Sequence, residues 1–454
     1  MTDVVLVYPY IDPPNNKSIF RFPPLGLGYL ASYLRERGFT VSIVDATFMG
    51  ERSAIESVKK LRPRIIGVYS MFTMKEASIR FARALRNSCQ RLVVGGPLPT
   101  VEPESYLNDF DIVAIGEGEK TILQIAEGLE LKDVGGIVYK SSIEGMEEGI
   151  LNNIVYTEPN PIIEDLDTIP FPARDLFDNE AYISYYRRKG IPPTTSSITS
   201  RGCPFRCDFC SRPIFGNSFR ERGAKNIVDE VEDILKLGYK RIFFQDDCFT
   251  LTKNRIHEFC DEVDERGLQF SWECLSRVDN MCLETANRMK ETGCERVFFG
   301  LESGSNRILK VMNKSATVEQ GRNAVESAHQ AGLKTGTFFI LGYPGEDNES
   351  MLETLHFAQR LPTDYLSFTY PYPIPGTPLY ERLKEKGING SFELHQKGLI
   401  QHKLIYRSEF NERKLRFGVL KGLGLHYLKK YLGPANPVVV KPLEVLSDIV
   451  FRIL

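Results

Sequence analysis

The stretch SSITSRGCPFRCDFC, residues 196–210, joins a strand-like run of small and β-branched residues to three closely spaced cysteines. Cys203, Cys207 and Cys210 follow a CxxxCxxC spacing, and no fourth cysteine or histidine stands near them. A structural zinc site usually takes four protein ligands. A cubane 4Fe–4S cluster usually has one thiolate on each iron, so three cysteines would leave one iron open to another ligand. The spacing therefore predicts an iron–sulfur cluster rather than a zinc site.

Outward from this stretch, strand-like and helix-like segments alternate between residues 196 and 380. The predicted strands are SSITSRG (196–202), KRIFFQDD (240–247), QFSWECLSR (269–277), ERVFFGLES (295–303), KTGTFFILGYP (334–344) and DYLSFTYPYP (364–373). The predicted helices centre on 225–237, 253–266, 282–292, 317–331 and 349–360. Six βα units on one sheet predict a partial (β/α)6 barrel, on which chemistry lies at the carboxyl ends of the strands. The cysteines follow the first strand directly, so we expect them at the mouth of this barrel.

Residues 1–140 contain an earlier alternation of the same kind. Its predicted strands are VVLVYP (4–9), VSIVDA (41–46), RIIGVYS (64–70), RLVVGGP (91–97) and DIVAIGEGE (111–119). Continuous Val and Ile runs are typical of strands covered on both faces, so they predict a doubly wound, Rossmann-like parallel sheet. No GxGxxG occurs, so a dinucleotide is not indicated. The predicted α/β organisation is an N-terminal domain (1–145), a connector (146–193), a barrel (194–388) and a helical C-terminal region (389–454).

Composition restricts the class of protein. A chain of 454 residues is long enough for about three domains. A net charge of -2 argues against a dedicated nucleic-acid binder. The chain has neither a secretory signal nor an 18-residue apolar run, so we expect a cytoplasmic protein with no transmembrane segment and with reduced thiols. Residues 401–454 carry ten Lys or Arg against four Asp or Glu, which indicates a solvated helical face, an acidic partner or a membrane surface.

The cysteine spacing followed by six βα units resembles the radical SAM superfamily over residues 195–385. In that superfamily the open iron binds S-adenosylmethionine (SAM). The segment Gln245-Asp246-Asp247 stands where the superfamily often has Gly-Gly-Glu, and LGYPGE (341–346) resembles its turn beside the adenine. The resemblance implies that SAM is bound by Phe209, Gln245, Asp246, Asp247, Arg277, Glu302 and Gly342.

Distinct roles follow from this resemblance. Phe209 would pack on the adenine, and Arg277 would pair with the SAM carboxylate. Glu302, in GLES, would bond the ribose or the amino group of SAM. Asp247 supplies a carboxylate in place of the usual glutamate.

Residues 1–145 resemble the cobalamin-binding domain of cobalamin-dependent radical SAM enzymes, mainly through GGPLPT (95–100) and GEGE (116–119). The implied cobalamin contacts are Leu25, Gly26, Ser70, Met71, Phe72, Thr73, Gly95, Gly96, Pro97, Gly116 and Glu117. Many such domains have DxHxxG after the first strand, where this chain has YPYIDPPNN (8–16). The resemblance then implies no histidine ligand to cobalt from this domain, with the loop of residues 70–73 facing the lower side of the corrin.

The two resemblances together imply a cobalamin-dependent radical SAM methyltransferase. One SAM would methylate cobalamin, and a second would yield a 5′-deoxyadenosyl radical that abstracts hydrogen from an unactivated carbon. That carbon would then take the methyl group from methylcobalamin. Electrons would come from a donor such as ferredoxin or flavodoxin. The expected substrate is a peptide or protein residue, as in glutamine C-methylation of methyl-coenzyme M reductase, with Tyr370 or Tyr372 facing it.

Other functions remain open from the sequence. A ring-forming cyclase of the same class would make 5′-deoxyadenosine without S-adenosylhomocysteine, and a lipid or natural-product methylase would use the same chemistry. A non-catalytic iron–sulfur protein would leave SAM intact. A methylthiotransferase would need further N-terminal cysteines, and only Cys89 precedes Cys203.

Overall fold

In a computed structural model of the chain, the described residues are 2–11, 19–141, 153–385, 387, 410–432 and 437–454. The strands are β1 (Val4–Tyr8), β2 (Val41–Asp45), β3 (Ile65–Tyr69), β4 (Arg91–Gly95), β5 (Ile112–Ala114), β6 (Ile137–Ser141), β7 (Asn153–Tyr156), β8 (Thr194–Ser197), β9 (Ser200–Arg201), β10 (Arg220–Glu221), β11 (Arg241–Phe244), β12 (Ser271–Ser276), β13 (Cys294–Glu302), β14 (Lys334–Ile340) and β15 (Tyr365–Thr369). The helices are α1 (Leu25–Arg35), α2 (Glu51–Leu61), α3 (Lys75–Leu85), α4 (Pro97–Val101), α5 (Glu119–Glu127), α6 (Asn179–Arg188), α7 (Ala224–Lys236), α8 (Lys253–Glu265), α9 (Leu283–Glu291), α10 (Asn306–Val311), α11 (Val318–Gln330), α12 (Asn348–Arg360), α13 (Pro378–Lys384), α14 (Glu412–Leu432) and α15 (Pro437–Ile453).

The first sheet has seven strands in the order β2-β1-β3-β4-β5-β6-β7. Strands β1 to β5 pair in parallel, which confirms the doubly wound sheet. Strands β6 and β7 add an antiparallel edge that the sequence analysis did not predict, and β7 lies beyond residue 145. The strand order reverses between β1 and β3, and ligands of such sheets bind beyond the carboxyl ends of the strands at that point.

Strand β1 shows why its sequence is continuously apolar. Side chains alternate between the two faces of a strand, so Val5 and Val7 enter one buried cluster while Val4 and Leu6 enter the other. Each cluster is formed by one face of the sheet and the helices that cover it. Apolar burial on both faces therefore fixes β1 in the centre of the sheet.

The second sheet has six strands in the order β15-β14-β13-β12-β11-β8, and β12 to β15 pair in parallel. The predicted barrel strands are confirmed except for SSITSRG, which is not one strand. It forms β8 and then β9, and β9 pairs antiparallel with β10 outside this sheet. The five predicted helices are confirmed to within one residue at each end. Gly238, Gly293 and Gly332 follow three of these helices with φ of 98°, 91° and 77°, a conformation that favours glycine.

The described residues form two compact units: unit 1 comprises Met1–Gly202 and Arg212–Arg241, and unit 2 comprises Cys203–Ser211 and Ile242–Leu454. All predicted cobalamin contacts lie in unit 1, whereas the cysteines and the predicted SAM contacts lie in unit 2. The helical C-terminal region is confirmed for α14 and α15, and residues 388–409 lie outside the described part of the chain. Among the described helices, none has the length and apolar character needed to cross a membrane.

Gly96 supports a specific prediction about stability. Its φ is 119°, and a Cβ atom there would lie 2.4 Å from the Ser70 carbonyl oxygen. We expect Gly96→Ala to lower the free energy of unfolding of the cofactor-free protein by about 1–3 kcal/mol. Gly26→Ala is the control, because nothing lies within 4 Å of the added atom and the position is helical. Thermal melting of both variants checks this, and equal melting midpoints would contradict it.

Candidate active site

The three predicted cluster ligands lie in an irregular loop of unit 2. Cys203 and Cys207 are 8% and 7% exposed, Cys210 is half-buried, and none of the three forms a disulfide bond among the described residues. The Cys210 amide donates a hydrogen bond to the Cys207 carbonyl at 3.2 Å, which tightens the second half of the loop. Within the described residues, no group of three or more His, Cys, Asp or Glu side chains is placed to hold a single metal ion. The thiolates of a 4Fe–4S cluster bind different irons, so they stand further apart than the ligands of one ion.

Asp208 fastens this loop to two other segments of unit 2. Its carboxylate accepts hydrogen bonds from the Tyr343 hydroxyl and, at 2.7 Å, from Arg382 Nη2. Its amide donates to the Met312 carbonyl and its carbonyl accepts from the Leu379 amide, both at 3.0 Å. Burial, together with the bond to Asp208, raises the pKa of Tyr343, so the phenol stays a donor. The sequence analysis missed Asp208, because its partners are distant along the chain.

Arg277, at the end of β12, is a buried cation beside a cluster ligand. Its Nη1 lies 4.0 Å from Cys207 Sγ, and its guanidinium carbon lies 3.4 Å from the centre of the Phe205 ring. Its Nε donates to Asp279 at 2.6 Å, and its Nη2 donates to the Lys314 carbonyl at 2.9 Å. The guanidinium group of Arg277 therefore already forms hydrogen bonds within the protein, and its pairing with the SAM carboxylate stays a prediction.

Glu302 ends β13 in a left-handed conformation, with φ of 66°. Such a backbone costs a non-glycine residue about 1–3 kcal/mol and is typical of functional sites. Its carboxylate pairs with Lys314 Nζ at 3.0 Å, and both side chains are 10% exposed. Gly300 leaves room for this carboxylate, because a Cβ atom there would lie 2.3 Å from Glu302 Oε1 and would displace it. Lys314 Nζ in turn lies 5.9 Å from the centre of the Phe209 ring.

Lys314 was not predicted from the sequence. It lies in a turn after α10, where Asn313 and Ser315 have φ of 51° and 52°. Neither residue is glycine, so the turn carries no obvious sequence signal. Asn313 Nδ2 donates to the Arg206 carbonyl at 2.8 Å, which joins this turn to the cysteine loop.

The residues that follow β11 differ in exposure. Gln245 and Asp247 are exposed, whereas Asp246 is 1% exposed. Two exposed polar groups at the carboxyl end of a strand are available to a ligand in this fold. Exposure of Gln245 and Asp247 fits their predicted role in binding SAM, whereas burial fits this role less well for Asp246. All three SAM contacts stay predictions.

The turn after β14 is closed by Glu346. Its Oε2 accepts hydrogen bonds from the amides of Gly342 and Tyr343 at 2.6 and 2.9 Å, and Gly342 has φ of 82°. Burial outweighs these two bonds and raises the pKa of Glu346 to about 8. Its Oε1 is buried and has no hydrogen-bond partner among the described residues. A free polar atom in this turn fits a polar ligand such as the adenine that the resemblance implies there.

The two tyrosines after β15 have different surroundings. The Tyr370 side chain is 2% exposed, and its hydroxyl has no hydrogen-bond partner among the described residues. Burial raises the pKa of Tyr370 to about 12, so the hydroxyl stays protonated at neutral pH. Tyr372 is half-buried, and burial raises its pKa as well. A buried hydroxyl without a partner costs about 1–3 kcal/mol, which a ligand that bonds to it would recover.

In unit 1, the glycines of GGPLPT and GEGE lie at the carboxyl ends of β4 and β5. The Thr100 hydroxyl links these two segments, because it accepts from the Gly116 amide at 3.2 Å and donates to the Gly96 carbonyl at 2.9 Å. No atom lies within 4 Å of a Cβ built on Gly26 or Gly116. These backbone positions are open, which fits the close approach of a large flat ligand.

The loop of residues 70–73 presents only part of itself to a ligand. The Ser70 side chain is fully buried, and its hydroxyl lies 2.8 Å from the Tyr106 hydroxyl and 3.0 Å from that of Ser78. Met71 and Phe72 are half-buried, and Thr73 is exposed. Ser70 therefore holds the loop to the core, whereas the side chains after it are the ones accessible to a corrin.

Two further predicted cobalamin contacts have partners within unit 1. Leu25 packs in a buried cluster with Tyr29. The Glu117 carboxylate pairs with Arg201 at 2.7 Å and with Arg220, and Arg201 also pairs with Glu119 at 2.5 Å. These four charged side chains form a buried network that we call the arginine–glutamate network. The side chains of Leu25 and Glu117 thus have partners within the protein, and their cobalamin contacts stay predictions.

The bond between Asp208 and Tyr343 supports a second prediction. Asp208→Ala leaves the buried Tyr343 hydroxyl without its acceptor, so we expect a loss of about 1–3 kcal/mol in the free energy of unfolding of unit 2. Tyr343→Phe removes the same donor. The double variant should therefore lose less than the sum of the two single losses. Denaturant unfolding of the cofactor-free protein checks this, and additive losses would contradict the bond.

Comparisons with known proteins cover both units. Residues 197–358 match the Radical SAM superfamily, and residues 15–126 match the B12 binding domain. The chain is 36% identical over 387 residues to an uncharacterised methyltransferase of Pyrococcus horikoshii, with 81% of each chain covered. It is 26% identical over 397 residues to the anaerobic magnesium-protoporphyrin IX monomethyl ester cyclase of Cereibacter sphaeroides, with 84% of this chain and 64% of the cyclase covered.

Two solved structures share the fold. The cobalamin-dependent S-adenosylmethionine radical enzyme OxsB, with aqua-cobalamin bound, aligns with a TM-score of 0.76 and 20% identity over 100% of this chain and 72% of OxsB. The radical S-adenosylmethionine methyltransferase TsrM from Kitasatospora setae, with cobalamin and a 4Fe–4S cluster bound, aligns with a TM-score of 0.69 and 21% identity over 85% of this chain and 75% of TsrM.

The two matched families occur in the order that the sequence predicted. The alignment with the Pyrococcus horikoshii relative covers most of both chains. The predicted cofactors, a 4Fe–4S cluster, SAM and cobalamin, are confirmed at the level of the family. The chain therefore belongs to the cobalamin-dependent radical SAM enzymes, and within them to the methyltransferase type.

Proposed function

We propose that this enzyme methylates an unactivated carbon of a peptide or protein residue, of which a glutamine in methyl-coenzyme M reductase is one example. The observation that carries the methyl-transfer proposal is the presence of the CxxxCxxC loop and the open glycine positions of a cobalamin domain in one chain. When bound, the cluster would supply the electron that cleaves SAM, and cobalamin would carry the methyl group.

The residues of unit 2 divide the work of holding the cofactors. Cys203, Cys207 and Cys210 would bind three irons, and Asp208 would keep their loop in place. Phe209 would pack against the adenine of SAM, and the turn at Gly342 would lie beside the adenine.

The charged groups around the loop would orient the polar end of SAM. The exposed Gln245 and Asp247 would meet the amino group, and Glu302 would meet the amino group or the ribose. Lys314, paired with Glu302, places a second cation in the part of the site that contains Arg277 and is a further candidate for the SAM carboxylate. Exclusion of water by the buried side chains would protect the reactive radical.

Tyr370 is the candidate for contact with the substrate. Its buried hydroxyl lacks a partner among the described residues, so a polar group of the substrate would satisfy it. The raised pKa keeps the hydroxyl protonated, so it would donate a hydrogen bond or a hydrogen atom rather than act as a base. Tyr372 is the second candidate. The enzyme would work in the cytoplasm with a ferredoxin or flavodoxin as its electron donor.

The alternative function is ring formation. It is favoured by the identity to magnesium-protoporphyrin cyclases. Methyl transfer is favoured by 26% identity over 423 residues to the cytidylyl-2-hydroxyethylphosphonate methyltransferase of Streptomyces wedmorensis. The two functions differ in their products from SAM.

Anaerobic reconstitution with iron, sulfide, hydroxocobalamin, SAM and a strong reductant tests the proposal. We expect mass spectrometry to detect both 5′-deoxyadenosine and S-adenosylhomocysteine. Cys203→Ala should abolish the first product, because one iron loses its thiolate. Cys282→Ala, which changes an exposed thiol outside the loop, should leave it unchanged. Formation of 5′-deoxyadenosine alone, with cobalamin bound, would overturn methyl transfer in favour of ring formation.

The substrate class requires a separate measurement. When the enzyme reacts with an extract of cells and with SAM labelled in its methyl group, we expect the label to appear in the protein fraction of the extract. Label in the organic extract would identify a lipid or another small apolar molecule and would overturn the peptide substrate while leaving methyl transfer intact.

Arg277 supports a prediction about the cluster itself. A reduced cluster carries one more negative charge, so the guanidinium beside Cys207 would stabilise the reduced form of a bound cluster. We expect Arg277→Met to lower the ratio of reduced to oxidised cluster at a fixed applied potential. Electron paramagnetic resonance during a redox titration measures this ratio. Arg307→Met is the control, because Arg307 is a half-exposed cation of the same unit that pairs with Asp347. Equal ratios in both variants would contradict the prediction.

A further inference from the structure

Helix α15 has one buried face and one exposed face, and both faces are apolar. Val440 and Phe451 point inward and are 6% and 1% exposed. The opposite side carries large apolar side chains that are 37% to 79% exposed, and we call it the outer face of α15. Its members are Val439, Leu443, Val445, Leu446, Ile449, Val450 and Ile453. Seven exposed aliphatic side chains on one short helix exceed the scattered exposure that ordinary surfaces show.

Ion pairs hold α15 in the orientation that exposes this face. Asp448 lies 2.7 Å from Lys421 Nζ of α14 and 3.0 Å from His356 Nε2 of α12. Arg452 also pairs with Glu349 of α12. The Lys421 side chain is fully buried, so breaking its pair with Asp448 would leave an uncompensated charge. The outer face therefore cannot turn inward without losing these contacts.

Helices α14 and α15 also carry cations and tyrosines. Arg413, Lys429 and Lys441 form no ion pair among the described residues. Tyr427 and Tyr431, near the end of α14, are 37% and 85% exposed. Residues 401–454 carry ten Lys or Arg against four Asp or Glu, although the whole chain has a net charge of -2. Exposed aliphatic residues, tyrosines and unpaired cations are the composition of helices that lie in a membrane interface.

We propose that the outer face of α15 docks on an anionic lipid surface, with α15 lying in the plane of the bilayer. The lipid tails would cover the aliphatic side chains, and the headgroups would neutralise the nearby cations. A second copy of this chain fits less well, because a symmetric contact would bring together two surfaces with the same excess of cations. The same physics requires a binding strength that falls with added salt. The inference does not rest on the proposed reaction, since docking needs neither cofactor nor substrate.

Flotation of the full-length protein with vesicles tests this docking. We expect binding to phosphatidylcholine vesicles that contain phosphatidylglycerol and little binding to phosphatidylcholine alone. Leu446→Glu combined with Ile449→Glu should lower the partition coefficient at least about tenfold, because it places two charges in the apolar contact. Leu129→Glu is the matched control, because Leu129 is an exposed apolar residue of unit 1. Circular dichroism and 5′-deoxyadenosine formation establish that each variant is folded.

The cations provide an independent arm of the test. Lys429→Glu combined with Lys441→Glu should weaken binding to anionic vesicles at least about 30-fold, at about fivefold for each lysine lost near the surface and more because the new glutamates are repelled. Lys59→Glu combined with Lys60→Glu, two exposed lysines of α2, should not. Equal binding of all variants to anionic vesicles, or no binding at low salt, would overturn the proposal. A wild-type dimer in light scattering that Leu446→Glu with Ile449→Glu dissociates would overturn it in favour of a second copy.

Discussion

One buried carboxylate, Asp208, holds a loop that has no regular secondary structure and must still present three thiolates in a fixed arrangement. Its side chain joins the loop to the turn after β14 through Tyr343 and to α13 through Arg382. Its backbone joins the same loop to residues 312 and 379. The rest of the cysteine loop depends on this, because Cys207, Phe209 and Cys210 can keep their positions only if the residue among them is fixed. A cluster loop fixed before metal arrives loses less conformational entropy on binding.

The electrostatics around that loop follow from the cost of burying charge. Each buried cation has its own carboxylate, Asp279 for Arg277 and Glu302 for Lys314. A buried cation without a partner would cost several kcal/mol, so these pairs allow positive groups to remain beside the thiolates and the Phe209 ring. The left-handed backbone of Glu302 fits the same explanation. The ion pair with Lys314 fixes the Glu302 carboxylate and Gly300 leaves room for it, so the backbone strain is tolerated there.

The sequence predicted the parts of the fold that depend on local pattern. The five predicted barrel helices agree with the structure to within one residue, because apolar spacing marks their limits and a terminal glycine marks the end of three of them. Strands β6 and β7 and the break between β8 and β9 were not predicted, because such short segments have little periodicity. The site shows the same division. The cysteines are evident from spacing, whereas Asp208 and Lys314 act through partners that no local pattern reveals. Ser70 and Glu117 are predicted cobalamin contacts, and the sequence could not show that Tyr106 and Arg201, 36 and 84 residues further along the chain, bond to their side chains.

The arginine–glutamate network gives these glutamates a physical role in unit 1. Glu117 and Glu119 hold Arg201, which stands two residues before the first cluster ligand. The next residue, Gly202, has φ of 79°, and a Cβ atom there would lie 2.3 Å from the Ser218 carbonyl oxygen. The backbone that leads into Cys203 is therefore fixed by two buried ion pairs and by a position that only glycine can occupy without strain. Loosening the acidic segment of the cobalamin domain would release the residue from which the cysteine loop begins. The motif that resembles a cofactor contact thus also fixes Arg201, close to the end of the first segment of unit 1.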